Sequence, residues 1–330
     1  MFNPAYKITI NKKVIDTTDE PKASTVVDLT VTLDMDTPAD SFTLVFGQVG
    51  SFKPARDDEV KIELGYADNG GLTQVISGTV VTVEPGLMTN RVNGYTLADK
   101  LLRSFSNKTY ESKTAGQIVK DLASAANVDV ANAEDGINFP GYVVDGQRSA
   151  YHHIRDLAEL SGFDSYFNTD GKLVFEKFVS GKTVHIFEYA KHIIKLDVLR
   201  SQPRASAVEA WGESPGGSRP DAAWVWLTRD FQNSKGTAGT GEAKLLLERS
   251  PLRTIDAART AANAALTAIQ RRTLRGQLLT IGRPEVKLGD AIRLRDMPDD
   301  TLDRVFQVRG VIHRITKTGG FMTTIDFQSI

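Results

Sequence analysis

The sequence predicts a β-rich α+β protein in which strand-rich regions at both ends of the chain flank an α/β unit. Short runs near both ends alternate between apolar and polar residues, which is the period of a half-buried strand. Between about residues 98 and 183, apolar residues recur instead at helical spacing. Many short alternating strands separated by turns are typical of a β-sandwich or a β-barrel, so we expect antiparallel sheets at both ends.

The N-terminal region, residues 1–97, contains several alternating runs separated by turn residues. Its clearest strand has an apolar face whose neighbours are aspartate and threonine. Three further runs with the same period, at 42–46, 60–66 and 75–83, predict an antiparallel sheet. The apolar positions of the clearest strand are Val27, Leu29, Val31, Leu33 and Met35.

Two helices are predicted in the central unit from their end signals. Thr114 and Gln117 have the spacing of a capping box, and Asn127 suits the left-handed residue after the helix. Ser149 is a candidate N-cap for a second helix, which we expect to end at Gly162.

A β-hairpin is predicted directly after the second helix. Its strands cover about residues 163–167 and 173–178, and Asp170-Gly171 between them is a typical hairpin turn. The helices and this hairpin make residues 98–183 an α/β unit.

The C-terminal part combines predicted strands with one alanine-rich helix at 254–272. Small residues on one helix face allow close approach to a sheet. Arg271 and Arg272 lie at the C-terminal end of the helix, where the helix dipole stabilises positive charge. The predicted strands are 184–187, 193–199, 206–211, 278–281, 291–295, 305–315 and 321–327.

A weak internal repeat links the two strand-rich regions. Each copy has a proline, a charged turn and an alternating strand, and a second strand further on aligns Gly78 with Gly310. Two β-rich segments can also share such a pattern by chance, so the sequence leaves the repeat as a hypothesis. The paired segments are 53–64 with 283–294 and 75–83 with 307–315.

Composition excludes several classes of function. The 330 residues carry a formal net charge of -1, which argues against a basic nucleic-acid clamp. Cysteine is absent, which removes disulfides, thiolate metal sites and cysteine nucleophiles. The N-terminus has no signal-peptide pattern, and no apolar run is long enough to span a bilayer, so we expect cytoplasmic synthesis.

The adjacent His152 and His153 are the most conspicuous candidates for chemistry. Neighbouring residues on a helix point about 100° apart, so the two rings cannot share a metal ion. His152 and Asp156 are predicted to form a solvated i,i+4 pair, with Tyr151 on the buried face. The remaining histidines have no apparent second ligand nearby in sequence: His185, His192 and His313.

Two other motifs also favour a structural interpretation. The glycine-rich residues 236–244 have the spacing of a phosphate loop, but Glu242 stands where the lysine belongs, so we predict a flexible loop. The acidic segments 34–40 and 296–303 lack the pattern of a calcium loop. We therefore assign no catalytic, cofactor-binding or metal-ligating residue and expect no cofactor.

The order of segments resembles the baseplate hub proteins of contractile phage tails, the late control gene D family, and the related hub portion of VgrG-type spikes. The resemblance spans nearly the whole chain and depends on the order of motifs more than on any single one. The matching segments are "DSFTLVFGQVGSFKPARDDEVKIELGY" (40–66), "VISGTVVTVEP" (75–85), "NGYTLADKLLRSFSNKTYESKTAGQIVKDLASAANV" (93–128), "SAYHHIRDLAELSGFDSYFNTDGKLVFEK" (149–177) and "DAARTAANAALTAIQRRTLRGQLLTIGRPEVKLGDAIRL" (256–294).

This resemblance implies two tube-protein-like antiparallel β-barrels with an inserted α/β element. The first barrel would be residues 1–97, completed by strands at about 184–212, and the α/β insertion would be 98–183. Residues 213–330 would form the second barrel, with the alanine-rich helix 254–272. The resemblance implies a structural, non-enzymatic homotrimer whose six barrels form a ring of pseudo-sixfold symmetry between a hexameric tail tube and a trimeric spike.

The implied partners are other copies of the chain, a tail tube or tube-initiator protein, a central spike protein, and baseplate wedge or LysM-type adaptors. The sequence leaves open whether DNA or an effector passes through the ring. The particle would assemble as a virion baseplate or injection machine from protein made in the host bacterial cytoplasm. The sequence ends after the last predicted strand, so we expect the spike and any hydrolase to be separate chains.

Two alternatives stay open at this point. A tail-tip peptidoglycan hydrolase would need a carboxylate pair in a cleft. A carbohydrate-binding adhesion module would need exposed aromatic side chains on one barrel face. The tryptophans, which we interpret as barrel packing or an interface, are Trp211, Trp224 and Trp226.

Overall fold

The computed structural model describes residues 3–18, 25–47, 53–68, 71–212 and 235–330. Trp224 and Trp226 lie outside the described residues. The N-terminal part forms strands β1 (Pro4–Ile10), β2 (Lys13–Asp16), β3 (Val26–Asp34), β4 (Ser41–Gly47), β5 (Glu59–Tyr66), β6 (Gly71–Pro85) and β7 (Thr89–Tyr95). The central part forms α1 (Ala98–Arg103), β8 (Lys108–Thr114), α2 (Ala115–Ala125), β9 (Val130–Ala133), β10 (Asn138–Val144), α3 (Ala150–Ser161), β11 (Asp164–Phe167) and β12 (Leu173–Glu176).

The C-terminal part returns to strands around one long helix. Its elements are β13 (Val184–Glu188), β14 (Lys195–Arg200), β15 (Ala207–Trp211), β16 (Gly236–Gly239), β17 (Lys244–Glu248), α4 (Ile255–Arg271), β18 (Leu274–Ile281), β19 (Ala291–Arg295), β20 (Val305–Thr316) and β21 (Gly320–Ser329). The prediction of a β-rich α+β protein with strands at both ends is confirmed.

Thirteen strands from both ends of the chain form one continuous sheet. Its main path runs β14-β18-β21-β20-β3-β4-β7-β6-β5-β1-β2, and β19 joins β13 to β20. The apolar faces of strands from both ends pack into one core cluster. The junction between the two ends is the antiparallel pair of β3 with β20.

Two groups of six strands within this sheet have the same topology. The first has the spatial order β3-β4-β7-β6-β5-β1, and the second has the order β14-β18-β21-β20-β19-β13. The chain visits the corresponding positions in the same sequence, so each strand has a counterpart in the other group. The groups differ in one pair, because β1 runs antiparallel to β5 whereas β13 runs parallel to β19.

The registers of the two groups also correspond. β6 is bulged against β7 between Val80 and Thr82, and β20 is bulged against β21 between Val308 and Gly310. Val80 N–H donates to the carbonyl of Asp58 at 2.9 Å, and Val308 N–H donates to the carbonyl of Asp290 at 2.9 Å. The internal repeat is therefore present.

The predicted residue alignment within the repeat is wrong, however. The bulges make Val80 and Val308 equivalent positions in the two copies, whereas the sequence pattern aligned Gly78 with Gly310. The two alignments differ by four residues. An even shift leaves the alternation of faces unchanged, so periodicity cannot detect it.

At one position both groups contain a phenylalanine–glycine contact, but the two residues have exchanged strands. Phe42 of β4 lies opposite Gly94 of β7, whereas at the counterpart position Gly276 of β18 lies opposite Phe327 of β21. A Cβ on Gly94 would lie 2.3 Å from the Phe42 ring, and one on Gly276 would lie 2.6 Å from the Phe327 ring. Each group thus fits one phenylalanine over one glycine.

The predicted barrel membership of residues 184–212 is wrong at the level of strand pairing. β13 pairs with β19 and β14 pairs with β18, so both belong to the second group instead of completing the first. β15 joins neither group and forms a small sheet with β16 and β17. Strands of equal length and alternation do not specify their partners, because pairing depends on non-local contacts.

The remaining elements form an α/β body with its own core cluster. It contains α1, α2 and α3, the sheet β11-β12-β9, the hairpin β8-β10, and the sheet β16-β15-β17. Helix α4 packs on β15, β16 and α3, which places it in this body and not in the second strand group as predicted. The body therefore comes from two insertions, one between the groups and one between β14 and β18.

The glycine-rich segment 236–244, predicted as a flexible loop, begins as strand β16. A Cβ on Gly236 would lie 2.1 Å from the Ala258 carbonyl carbon of α4, so glycine there permits close contact between strand and helix. The alanine face that was predicted to lie against a sheet does so here.

The helix signals in the sequence are confirmed. Thr114 Oγ1 accepts from Gln117 N–H at 3.2 Å, and the Gln117 side chain accepts from Thr114 N–H at 3.2 Å. Asn127 has a φ of 54° and Gly162 a φ of 71° after their helices. Ser149 is the N-cap residue of α3 but makes no side-chain cap bond.

Replacing Thr114 by valine is expected to lower the free energy of unfolding by about 1 kcal/mol, because the side-chain acceptor of the capping box is lost. Denaturant titration followed by circular dichroism measures the change. Thr114→Ser keeps the hydroxyl and is expected to stay within about 0.5 kcal/mol of the wild type. An equal loss in both variants would contradict the capping role.

Candidate functional surface

Eight neighbouring strands present a continuous and mostly polar face. From β14 to β6, alternate side chains enter the core while the others stay partly or fully exposed. We call the exposed set the open face. On seven of the eight strands it includes Asp28, Thr30, Thr32, Asp34, Ser41, Thr43, Arg91, Asn93, Tyr95, Thr82, Glu84, Gln277, Asp326, Gln328, Arg275, Lys195, Asp197 and Leu199.

Hydrogen bonds join open-face side chains across neighbouring strands. Thr43 Oγ1 donates to Asn93 Oδ1 at 2.9 Å, and Asn93 Nδ2 donates to Thr82 Oγ1 at 2.9 Å. At the counterpart position of the second group, Gln277 Nε2 donates to Asp326 Oδ1 at 2.9 Å. The repeat thus reproduces a polar cross-strand pair as well as the backbone.

The open face carries both signs of charge. At the junction of the two groups, Arg314 Nη2 donates to Asp28 Oδ2 at 2.7 Å, and this hydrogen bond lowers the pKa of Asp28. The Arg314–Asp28 pair is therefore neutral as a unit.

Two backbone edges border this face. Among the described residues, β14 pairs with β18 alone, so its outer edge has no partner strand. Strand β6 pairs with β5 only through residues 71–79, which leaves residues 82–85 without a partner on that side in the described part of the chain. The counterpart half of β20 is covered by β3.

Large apolar side chains stand exposed beside both edges. Leu87 and Met88, in the turn after β6, are 97% and 81% exposed. Ile194 and Leu199, on or beside β14, are 54% and 50% exposed. Exposed apolar residues at unpaired strand edges are typical of protein–protein contact sites.

The adjacent histidines of α3 have separate structural contacts. His153 is buried, with Nδ1 3.4 Å from Tyr142 Oη and Nε2 3.2 Å from the Asp145 carbonyl. His152 is exposed, and its Nδ1 lies 2.8 Å from Ser149 Oγ. The predicted pair of His152 with Asp156 is not the contact that forms, because Asp156 faces Arg148 at 3.6 Å. The two rings diverge as predicted.

Each of the other histidines has a hydrogen-bond partner within the protein. His185 Nε2 lies 2.9 Å from Asp290 Oδ2, a partner that the sequence could not indicate because it is 105 residues away. His192 Nδ1 accepts from Glu188 N–H at 3.1 Å. His313 lies in the core, where burial lowers its pKa to about 3, and its Nδ1 is 3.0 Å from Thr323 Oγ1.

The acidic turn 34–40 brings two carboxylates together. Asp40 is buried, and its Oδ1 accepts from Asp34 N–H at 2.8 Å. Burial, opposed by this hydrogen bond and reinforced by the nearby Asp34 charge, raises the pKa of Asp40 to about 7. The adjoining cavity holds about 20 Å³, which is room for about one water and not for a sugar ring.

A largely buried ion pair attaches the α/β body to the sheet. Arg309 is the bulged residue of β20, and its Nη1 donates to Asp164 Oδ1 at 2.6 Å while Nη2 donates to Asp36 Oδ1 at 2.8 Å. Asp164 also accepts from Gln307 Nε2 at 2.5 Å. Sequence reasoning missed this network, since its members are far apart in the chain.

Within the described residues, no group of three or more histidine, aspartate or glutamate side chains is arranged to hold a metal ion. The acidic segment 296–303 forms a turn and a short 3₁₀ helix in which Asp299 accepts from Thr301 N–H at 3.0 Å. Trp211 lies on β15 in the α/β body. None of the helices in the described ranges is long and apolar enough to cross a membrane.

No protein-family model matches this sequence, and a comparison with curated proteins returns no match either. Solved structures do match. The 43 kDa tail protein of prophage MuSo2 from Shewanella oneidensis superposes with a TM-score of 0.73 at 12% identity, covering 99% of this chain and 98% of that one. The chain has the fold of phage tail proteins.

Two further structures share this tail-protein fold. A tail protein from Neisseria meningitidis MC58 gives a TM-score of 0.72 at 14% identity, over 99% of this chain and 97% of that one. The c3393 protein of E. coli, described as a type VI secretion component similar to T4 tail proteins gp27 and gp5, gives 0.59 at 11% identity, over 98% and 77%. The sequence-based resemblance is thus supported at the level of fold.

Proposed function

We propose that this protein is the structural baseplate hub of a contractile tail or injection system, a homotrimer that joins a hexameric tail tube to a trimeric central spike. The observation that carries the proposal is the repeat of one six-strand topology within a chain of tail-protein fold. Three chains with two equivalent groups each can present six similar surfaces. Such a ring meets sixfold symmetry on one side and threefold symmetry on the other.

The open face is the candidate lining of the ring. Its threonines, asparagine, glutamines and mixed charges suit a wall past which DNA or an effector moves without adhering. The opposite face of the same strands fills the core and is not available for a partner. The work of the hub is symmetry matching and plugging, with no chemical turnover.

The proposed partners follow from this role. They are other copies of the chain, a tail tube or tube-initiator protein, a central spike protein, and baseplate wedge or LysM-type adaptors. The protein would be made in the host bacterial cytoplasm and assembled into a virion baseplate or an injection particle.

The alternatives have less support from the described residues. Asp34 and Asp40 are the carboxylate pair with a raised pKa, yet the space beside them cannot hold a glycan. A carbohydrate-binding face needs several aromatic rings, and the described open face carries Tyr95 alone. A structural hub requires neither feature.

The purified protein is expected to form a species of three times the chain mass in light scattering or native mass spectrometry, with a fraction that increases with concentration. Images of particles along the symmetry axis are expected to show six similar lobes around a channel. A monomer at every concentration that joins neither tube nor spike would contradict the hub proposal. Lysis of peptidoglycan in a zymogram that is lost on Asp40→Asn would favour the hydrolase.

A further inference from the structure

The chain forms one inter-group strand contact and lacks the reciprocal one. Inside the chain, β3 of the first group pairs with the C-terminal half of β20 in the second. The counterpart of β3 is β14, and the counterpart of β20 is β6. A second contact of the same kind would join β14 to the C-terminal half of β6, and these are the two unpaired edges beside the open face.

The register of that second contact follows from the first. Val311 of β20 lies opposite Leu33 and Ile312 lies opposite Thr32. The bulges make Val83 the counterpart of Val311, because these residues face Val92 and Ile325 respectively. The residues of β14 that are equivalent to those of β3 are identified in the same way.

Leu29 and Leu196 are counterparts, because they lie opposite Leu44 and Leu278. Leu44 and Leu278 lie opposite Val92 and Ile325, which are the counterparts already identified. Counting along the strands makes Leu199 the counterpart of Thr32.

We propose that β14 of one copy pairs antiparallel with residues 82–85 of β6 in the next copy, with Val83 opposite Arg200 and Glu84 opposite Leu199. This inference rests on the proposed function and names the contact that would close its ring. The contact is head-to-tail, since it uses different surfaces of the two copies, and such contacts form closed rings when the rotation allows. The chain's own β3–β20 junction supplies that rotation.

The exposed apolar residues fit this arrangement. Ile315 of β20 is 8% exposed, and Leu29 of β3 lies opposite it. Leu87 stands at the same distance from Val83 as Ile315 from Val311, but in the turn after β6, where it is 97% exposed. The end of the new ladder would bring Leu196 of the neighbouring copy close to it. The contact would therefore cover a leucine that has no cover in the single chain.

Pro85 modifies the contact without preventing it. Proline has no N–H to donate, so its presence removes at most one hydrogen bond from the new ladder. Proline at an unpaired edge also limits pairing with unrelated strands, which restricts the edge to a partner that matches its other positions.

The absence of cysteine allows a direct test by disulfide formation. Residues directly opposite on antiparallel strands have Cβ atoms about 4.5–5.5 Å apart, close to the span of a disulfide. In the Glu84→Cys/Leu199→Cys variant, mild oxidation is expected to link different chains. Non-reducing gels should show covalent dimers and a largest product of three chains, both removed by reductant.

Two matched variants control the experiment. Thr32→Cys/Ile312→Cys introduces the equivalent pair at the internal junction and is expected to form a disulfide within one chain. Glu84→Cys/Arg200→Cys moves one cysteine by a single residue to the other face of β14 and is expected to give little product. Mixing the two single variants of the first pair should stop at dimers.

The outcomes separate this inference from the hub proposal. A trimer in native mass spectrometry without the Glu84–Leu199 link, while the internal control forms its disulfide, would overturn the strand pairing and leave the hub standing. Equal products from the Arg200 control would also overturn the register. A monomer that links in none of the intermolecular pairs at any concentration would contradict both proposals.

Discussion

The Asp40→Asn variant is expected to be more stable than the wild type by about 3 kcal/mol at pH 8, with almost no difference at pH 3. Asp40 is buried beside Asp34, and burial raises its pKa from 3.8 to about 7. An asparagine keeps an oxygen that can accept from Asp34 N–H, the bond that Asp40 makes at 2.8 Å. It has no ionised form, so the cost of burying a charge disappears.

The sign follows from proton binding. Between pH 3.8 and about 7 the folded chain keeps the Asp40 proton while the unfolded chain releases it, so this group destabilises the fold progressively as pH rises. Above about pH 7 both states are ionised and the deficit is constant. The advantage of Asp40→Asn should therefore grow through this window and then level off.

His313 has the opposite effect over much of the same range. Burial lowers its pKa from 6.5 to about 3, so the unfolded state binds the proton first and stability falls as pH decreases through this interval. The two groups partly cancel in the wild type. In Asp40→Asn the His313 contribution remains, and stability should rise more steeply with pH between about 4 and 6.5.

Urea titrations at pH 3, 5 and 8 measure these differences. Asp129→Asn, which changes an exposed carboxylate beyond the end of α2, is the matched control and should shift stability by less than about 0.5 kcal/mol at each pH. A destabilised Asp40→Asn at pH 8, or the same shift at pH 3 and pH 8, would contradict a buried carboxylate with a raised pKa.

Arg309→Met is expected to lower the free energy of unfolding by about 3 kcal/mol. The side chains of Arg309 and Asp164 are 16% and 13% exposed, so removing the arginine leaves a largely buried carboxylate without its cation. Breaking a buried pair from one side typically costs about 3–5 kcal/mol, and the residual exposure places this pair at the lower end. Thermal or urea unfolding of the full chain provides the measurement.

The double variant Arg309→Met/Asp164→Asn tests the electrostatic origin. Removing both charges leaves no uncompensated ion, so most of the lost stability should return. Arg314→Met is the matched control on the same strand, because its pair with Asp28 is more exposed and should cost less than about 1 kcal/mol. Equal losses in Arg309→Met and Arg314→Met would contradict the role assigned to the largely buried Arg309–Asp164 pair.

The Arg309–Asp164 pair shows why strands, helices and turns were easier to predict than the contacts between distant parts of the chain. Alternation in β3 and β4, the capping box at Thr114 and the hairpin at Asp170-Gly171 are local signals, and each lies within a few residues of the structure that it specifies. By contrast, Arg309 meets Asp164 across 145 residues, and no spacing rule relates them.

Some elements escaped prediction for a physical reason. Strand β8 has one buried residue, Tyr110, and its other side chains are exposed or partly exposed, so it lacks the alternation that identifies a strand. Strand β16 consists of glycine, threonine and alanine, which predict a loop in isolation. Both strands are stabilised by neighbours that the local sequence does not reveal.

By itself the sequence determined the β-rich class, the order of most strands and helices, and the helix ends, and it offered the repeat as a hypothesis. These depend on hydrophobic period, capping and turn residues, which act over one or two turns of chain. Only the tertiary structure decided the register of the repeat, the group to which β13 and β14 belong, the placement of α4 in the α/β body, and the burial of Asp40. The reason is that pairing and desolvation depend on residues distant in sequence, and an even shift of a strand preserves every local pattern.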